Sequence, residues 1–274
     1  MYLDLTIAIP VKNEAKNIAD CIKSIGKNFA LNIDVIDSGS SDGTVEIARE
    51  LGANIIQFTW DGKYPKKRNW YLLNHKPKTK WVLFLDADEH LTIPFKEALC
   101  NYIQKFDYAG YWLNYSIYMN NYKLKAGYPL KKLALFQTEK GLYEKIEENN
   151  WSKLDMEIHE HAIINGSVGF IKSKIDHKVN FENINWKQKH MEYAKWEAKR
   201  YLSLISNKRV ANNFTFFQKI KYFIVNTPFA GISFFIGSYL FMLGFIDGIK
   251  GFKYALLKAF YFQKVYTEIK KVGK

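Results

Sequence analysis

Cysteine is scarce: only Cys21 and Cys100 occur in 274 residues, far apart and without metal-ligand spacing. A cysteine metal centre is therefore excluded, and a reduced compartment or no redox role is expected. The opening MYLDLTIAIP has an acid at Asp4 and no basic stretch before an apolar core, so no signal peptide is expected. Neither a G-x-G-x-x-G fingerprint nor a G-x-x-x-x-G-K-[ST] phosphate loop is present. There is no internal repeat and no low-complexity tract. Acids are also scarce late in the chain. Residues 186–274 hold 16 Lys and Arg against 4 Asp and Glu, whereas residues 1–185 hold 24 against 23. The net charge of +13 thus sits almost wholly in the last third. Such a basic third suits nucleic acid or an anionic membrane surface, or it is a solvated cationic helical face.

What is present begins with alternation of strand and helix signals. Leu5 to Ile9 is a short β-rich run ended by Pro10. Ile18, Cys21, Ile22 and Ile25 follow at i, i+3, i+4 and i+7, one face of a helix. Ile33–Ile36 reads as a second strand, Ser38–Gly43 as a turn, and Thr44–Leu51 as a helix stopped by Gly52. Asn54–Phe58 is a third strand, residues 65–75 a helix, and Trp81–Leu85 a fourth strand. Strands separated by helices predict an α/β fold with a mostly parallel sheet and flanking helices. Residues 108–180 are irregular and tyrosine-rich, with strand-like pieces at Tyr111–Tyr118 and Ser167–Ile171. They predict a mixed extension of the sheet carrying an acceptor site. Residues 1–180 are expected to form one domain and residues 181–274 a helical, basic region.

Ligands of such sheets sit beyond the C-terminal strand ends. Acids stand there three times: Glu14, Asp37, and Asp86 with Asp88. In Val82-Leu-Phe-Leu-Asp-Ala-Asp-Glu-His90 an apolar run meets three acids at once, and clustered carboxylates resist burial without a positive partner. Residues i and i+2 of a strand point the same way, so Asp86 and Asp88 converge and suit Mg²⁺ or Mn²⁺. The bland alternative is that Asp88 or Glu89 caps the helix near Pro94. Asp37 at a strand tip suits a base or ribose hydroxyls, and Asp42 suits an N-cap. Lys66, Lys67, Arg68 and Asn69 place cations where a diphosphate could lie, or simply start a solvated helix.

Ile9-Pro-Val-Lys-Asn-Glu14, Asp37-Ser-Gly-Ser-Ser-Asp-Gly-Thr44, Lys67-Arg68-Asn69 and Phe84-Leu-Asp-Ala-Asp-Glu89 together resemble the ordered motifs of family 2 glycosyltransferases with the GT-A fold, over roughly the first 180 residues. The tail from Gly244 to Phe260 is similar to that of the lipopolysaccharide core β-1,4-glucosyltransferase branch. The resemblance implies a Rossmann-like GT-A sheet, a UDP-sugar donor and inversion at the anomeric carbon. By motif match, Pro10 and Glu14 would border the nucleoside and Asp37 would hold uracil or ribose. Asp86 would lie near ribose and metal, Asp88 would bind the metal, and Lys67 and Arg68 would flank the diphosphate. His177 matches a metal-proximal position, although a lone histidine after a strand is usually structural. In Met156-Glu-Ile-His-Glu-His161 the resemblance points to Glu160 as catalytic base, with Glu157 as the alternative.

From Tyr222 to Ile246 no residue is charged, a length that reaches the roughly 20 residues a bilayer span needs. Asn226, Pro228 and three glycines interrupt it. From Ile249 onward, Lys250, Lys253, Lys258 and Lys264 fall within an arc of roughly 140°, with Phe252, Ala255, Leu256 and Ala259 opposite. That pattern predicts a basic amphipathic helix lying in a membrane interface. A core helix with outward lysines and a true span are the alternatives.

The expected whole is an inverting hexosyltransferase, peripheral on the cytoplasmic face of the inner membrane. It would use a divalent cation and pass a sugar, glucose from UDP-glucose, to a lipid-linked glycan such as lipopolysaccharide or lipooligosaccharide core. Anionic lipid is an expected partner and nucleic acid is not. A non-catalytic basic binding protein would have no need of strand-end acids. A sugar nucleotidyltransferase would open with glycines where Pro10-Val-Lys-Asn-Glu14 stands.

Overall fold

The computed structural model describes residues 2–105, 107–145, 155, 161–179, 184–206 and 216–272. They fall into two compact units, one of residues 1–117 and 130–178, the other of 118–129 and 179–274.

The first unit is an α/β layer structure. Strands β1 (Leu3–Val11), β2 (Ala30–Asp37), β3 (Asn54–Gln57) and β4 (Trp81–Phe84) run parallel in the order β3-β2-β1-β4. Pro10 does not end β1, because Pro10 and Val11 still pair in register with Ile36 and Asp37. β1 is buried on both faces, which is why it reads as a nearly continuous apolar run. Helices α1 (Ile18–Ile25), α2 (Thr44–Glu50) and α3 (Lys67–Asn74) connect these strands. The spaced apolar face of α1 is the buried one: Ile18, Cys21, Ile22 and Ile25.

After β4 the sheet turns antiparallel. A two-residue strand β5 (Glu89–His90) precedes α4 (Ile93–Lys105), and β6 (Gly110–Met119) follows. With β7 (Tyr122–Lys123), β8 (Lys131–Gln137), β9 (Gly141–Tyr143), β10 (Ala162–Ile164) and β11 (Val168–Val179) the described strands are complete. The main sheet has nine strands, ordered β3-β2-β1-β4-β8-β6-β11-β5 with β7 on β6. β11 extends well past Ile171, where alternating charged residues hide the strand signal. It continues because Asp176 and His177 pair with His90 and Glu89.

The second unit is helical: α5 (Ile184–Ser206), α6 (Phe216–Val225), α7 (Ala230–Ile236) and α8 (Gly248–Val272). Its core joins Ala194, Ala198 and Tyr201 of α5 with Val225 of α6 and Phe262, Val265 and Ile269 of α8. The unit also takes in Tyr118–Pro129, which the sequence assigned to the N-terminal domain. The backbone N–H groups of Lys125 and Ala126 both bond the Asp247 carboxylate, and that tie holds the segment there.

Among the described residues no single helix is long and apolar enough to cross a membrane. Residues Ala230–Phe241 and Gly244–Val272 would reach the length together, but they are bent by 76°. Leu243 at φ 58° makes the bend, which no continuous helix could contain.

Candidate active site

β4 delivers Leu85 and then Asp86-Ala87-Asp88 into a turn, not into further strand. The turn closes when the Glu89 N–H donates to Asp86 O at 2.9 Å. Asp86 and Asp88 are therefore presented by this turn, in place of the i, i+2 alternation of a strand. β5 then pairs antiparallel with β11, which puts His177 opposite Glu89. The Lys178 N–H donates to Asp88 O at 2.8 Å, fixing the register. As a result His177 Nε2 lies 3.2 Å from Asp88 Oδ2. The helix near Pro94 takes its cap from Thr92, whose Oγ1 accepts from the Phe95 N–H. Neither Asp88 nor Glu89 is spent on that role.

Cationic side chains from other elements meet these acids. Arg68 Nη2 lies 2.9 Å from Asp86 Oδ1. Lys132 Nζ, from β8, lies 2.5 Å from Asp86 Oδ2 and 2.5 Å from Glu89 Oε1. Glu89 is fully buried, and its other oxygen accepts the Asp86 N–H at 3.1 Å. Burial alone would raise the pKa of Asp86, but Lys132 and Arg68 outweigh it and hold the carboxyl far below its ordinary value. Asp88 is lowered too: burial opposes, and His177 prevails. Glu89 goes the other way, raised first by burial and then by the charge of Asp86. His177 is raised because Asp88 overcomes its burial.

The residues fit a divalent cation through one pair. Asp88 and His177 supply an oxygen and a nitrogen side by side, and the buried His177 Nδ1 has no hydrogen-bond partner. A carboxylate with an imidazole suits a cation such as Mn²⁺. Both oxygens of Asp86 already face cations. Among the described residues no group of three or more His, Cys, Asp and Glu side chains is arranged to hold a metal. A cation on Asp88 and His177 would thus keep most of its coordination positions for substrate.

The remaining candidates line the neighbouring strand ends. Asp37 is buried, and its carboxylate accepts from the N–H groups of Gly39 and Ser40 and from the Ser40 hydroxyl. It shapes the loop after β2. Asp42 accepts from the Thr44 N–H and the Ala15 N–H, so it links the loops after β1 and β2 at the start of α2. Glu14 accepts from Asn17, and its own N–H donates to Thr44 Oγ1. Pro10 is buried in β1. Lys67 does not point into solvent from a helix start. It is buried and donates to Val11 O at 3.0 Å and Ser38 Oγ at 2.7 Å, with Asp155 Oδ2 at 3.2 Å. Burial lowers its pKa against the pull of Asp155. Glu160 and Glu157 lie outside the described residues.

This array sits at the C-terminal ends of parallel strands, the position where such sheets bind ligands. The sequence profile of "Glycosyl transferase family 2" matches residues 6–165. The chain belongs to that family. A glycosyltransferase of Rickettsia typhi, named as uncharacterized, is 30% identical over 168 residues, which is 60% of this chain and 54% of that one. The chain spans about half the length of the curated relatives it matches. Among solved structures, glucosyl-3-phosphoglycerate synthase from Mycobacterium tuberculosis, in complex with Mn²⁺, UDP and glucosyl-3-phosphoglycerate, is 18% identical. It covers 42% of this chain and 43% of its own, at a TM-score of 0.31. S. aureus TarS 1–349 covers 98% of this chain and 92% of its own at 14% identity and a TM-score of 0.44.

For a family 2 member, the sequence did not single out Lys132 or Tyr115, and it offered Glu89 only as a helix cap. β8 carries a bulge at Ala134, where Tyr111 and Trp112 pair with Leu135 and Leu133, so period-2 counting back from buried Phe136 does not place Lys132. Tyr115 stacks under it at 5.2 Å, with a buried hydroxyl that has no partner. No local signal marks Tyr115.

Proposed function

We propose that the chain is an inverting glycosyltransferase that moves a sugar from a UDP-sugar, taken as UDP-glucose, onto a lipid-linked glycan of the lipopolysaccharide core type. The observation that carries the donor half is the Asp88–His177 pair beside the Asp86–Arg68–Lys132 cluster. The acceptor half rests on the tail from Gly244 to Phe260 and on the apolar, basic character of the second unit.

In this reading Asp88 and His177 would hold Mg²⁺ or Mn²⁺, which when bound stabilises the charge growing on the leaving diphosphate oxygens. Arg68 and Lys132 keep Asp86 ionised and aimed, so that it can accept from the ribose. Asp37, already at the tip of β2, has the acceptor chemistry that a uracil N–H or ribose hydroxyl requires. Lys67 ties the loops after β1 and β2 together and preserves the nucleoside cleft. Glu160, with Glu157 as the alternative, takes the proton of the acceptor hydroxyl as it attacks opposite the leaving UDP. The enzyme works at the cytoplasmic face of the inner membrane, where its acceptor lies.

The test is UDP release from a panel of nucleotide sugars, with Mn²⁺ or Mg²⁺ and with chelator. Asp88→Ala is expected to lower metal-dependent turnover of one donor at least about a hundredfold, the scale of losing an electrostatic transition-state contact. Binding of no nucleotide sugar with either metal would overturn the proposal.

A further inference from the structure

The bend between α7 and α8 is an apolar corner. Leu240, Phe241, Met242, Leu243, Phe245 and Ile246 are consecutive but for Gly244, and all six are exposed. Phe241 is 83% exposed. Ile249 continues the surface into α8 at 75%. A soluble surface rarely strings large apolar side chains together in this way.

The corner is also rigid. Gly244 and Gly251 touch: a Cβ on Gly251 would lie 1.8 Å from Gly244 O. The Gly127 N–H donates to Met242 O at 2.8 Å. Asp247, directly after Ile246, is buried and accepts from the Lys125 and Ala126 N–H groups and the Tyr122 hydroxyl. The exposed side chains therefore project from a braced backbone and cannot fold away.

Lysines rim the corner. Lys125 shares Asp247 through its backbone, Lys250 stands over the Tyr122 ring at 5.2 Å, and Lys123 and Lys253 adjoin them. All four are exposed. Apolar side chains at a tip with ammonium groups behind them complement an anionic bilayer: acyl chains take the tip and phosphates meet the lysines.

We propose that residues 240–246 form a membrane wedge that enters one leaflet of an anionic bilayer without crossing it. This rests on the membrane-surface reading of the proposed function and names the element that inserts. Because the bend is 76°, the apolar stretch cannot run straight through.

The full chain, with Cys100→Ser so that only buried Cys21 remains, is labelled with an environment-sensitive fluorophore at Phe241→Cys, Phe245→Cys or, as control, Ile93→Cys in the first unit. It is mixed with phosphatidylcholine vesicles containing about one-third phosphatidylglycerol. The 241 and 245 labels are expected to shift blue and gain shielding from an aqueous quencher, while the label at 93 does neither. The double variant Phe241→Asp with Phe245→Asp, altered only at exposed positions, is expected to keep its melting temperature and lose at least about tenfold in vesicle partition. If the chain floats with vesicles while the 241 label stays open to quencher, the wedge is wrong and the membrane reading survives. Failure to float at all removes both, and UDP release still tests the transferase reading by itself. Shielding without vesicles together with a doubled mass would assign the corner to a second copy of the chain and overturn the proposal.

Discussion

Lys132 and Lys258 are both packed lysines, and they should respond oppositely to removal. Lys132 neutralises two carboxylates, the buried Glu89 and the half-buried Asp86, and those partners raise its pKa well above the ordinary lysine value against the effect of burial. Lys132→Met would leave Glu89 buried without its cation and Asp86 with Arg68 alone. Breaking such a pair from one side is expected to cost roughly 3 kcal/mol, read as a lower melting temperature. Lys258 makes no ion pair among the described residues. It lies over the rings of Tyr128 and Tyr254 at 5.3 and 5.5 Å, and burial pulls its pKa down to about 8. Its folded pKa lies below the unfolded one, so below pH 8 the fold bears the whole cost of the charge. Between pH 8 and the ordinary lysine value the folded state sheds the proton first, and stability rises with pH. Lys258→Met should therefore stabilise at pH 7, on the order of 2 kcal/mol after solvent screening, with the gain shrinking towards pH 10. Thermal melts at both pH values check the sign.

At the scale of elements, periodicity was informative where one face decides. α1 buries the face its spacing marked, and β1 buries the run that reads as core. The basic amphipathic reading of α8 held only in part. Lys250 and Lys253 are exposed as expected, but Lys258 turns inward onto Tyr128. On the opposite, apolar face Phe252 and Leu256 are exposed while Ala255 is buried. Glycine was the missing clue. Gly251→Ala forces α8 away from the Gly244 backbone, since neither atom is the end of a flexible side chain. We expect a loss of more than about 2 kcal/mol and faster amide exchange across residues 240–250.

At the scale of the molecule, the charge asymmetry divides the labour. The near-neutral first unit holds the strand-end acids, while residues 186–274 carry the cationic excess. If that excess serves an anionic surface, vesicle association should weaken several-fold as salt shortens the Debye length from about 10 Å at 0.1 M towards about 3 Å at 1 M. Apolar insertion should persist at high salt. Flotation across a salt series separates the two contributions.

The sequence by itself determined the order of the first four strands, the helices between them and the acids at their ends, because strand and helix signals are local and Gly, Pro and Asp punctuate them. It also determined that Asp86 and Asp88 stand beyond an apolar strand. Only the tertiary structure decided which cation meets which acid. Lys132 lies 46 residues from Asp86 in the chain, and His177 lies 89 from Asp88. Such pairs arise when antiparallel strands β8 and β11 are laid against a parallel sheet, and a two-residue strand, β5, sets the register of one of them. No local pattern encodes that register. It follows from backbone hydrogen bonds that exist only once the sheet is assembled.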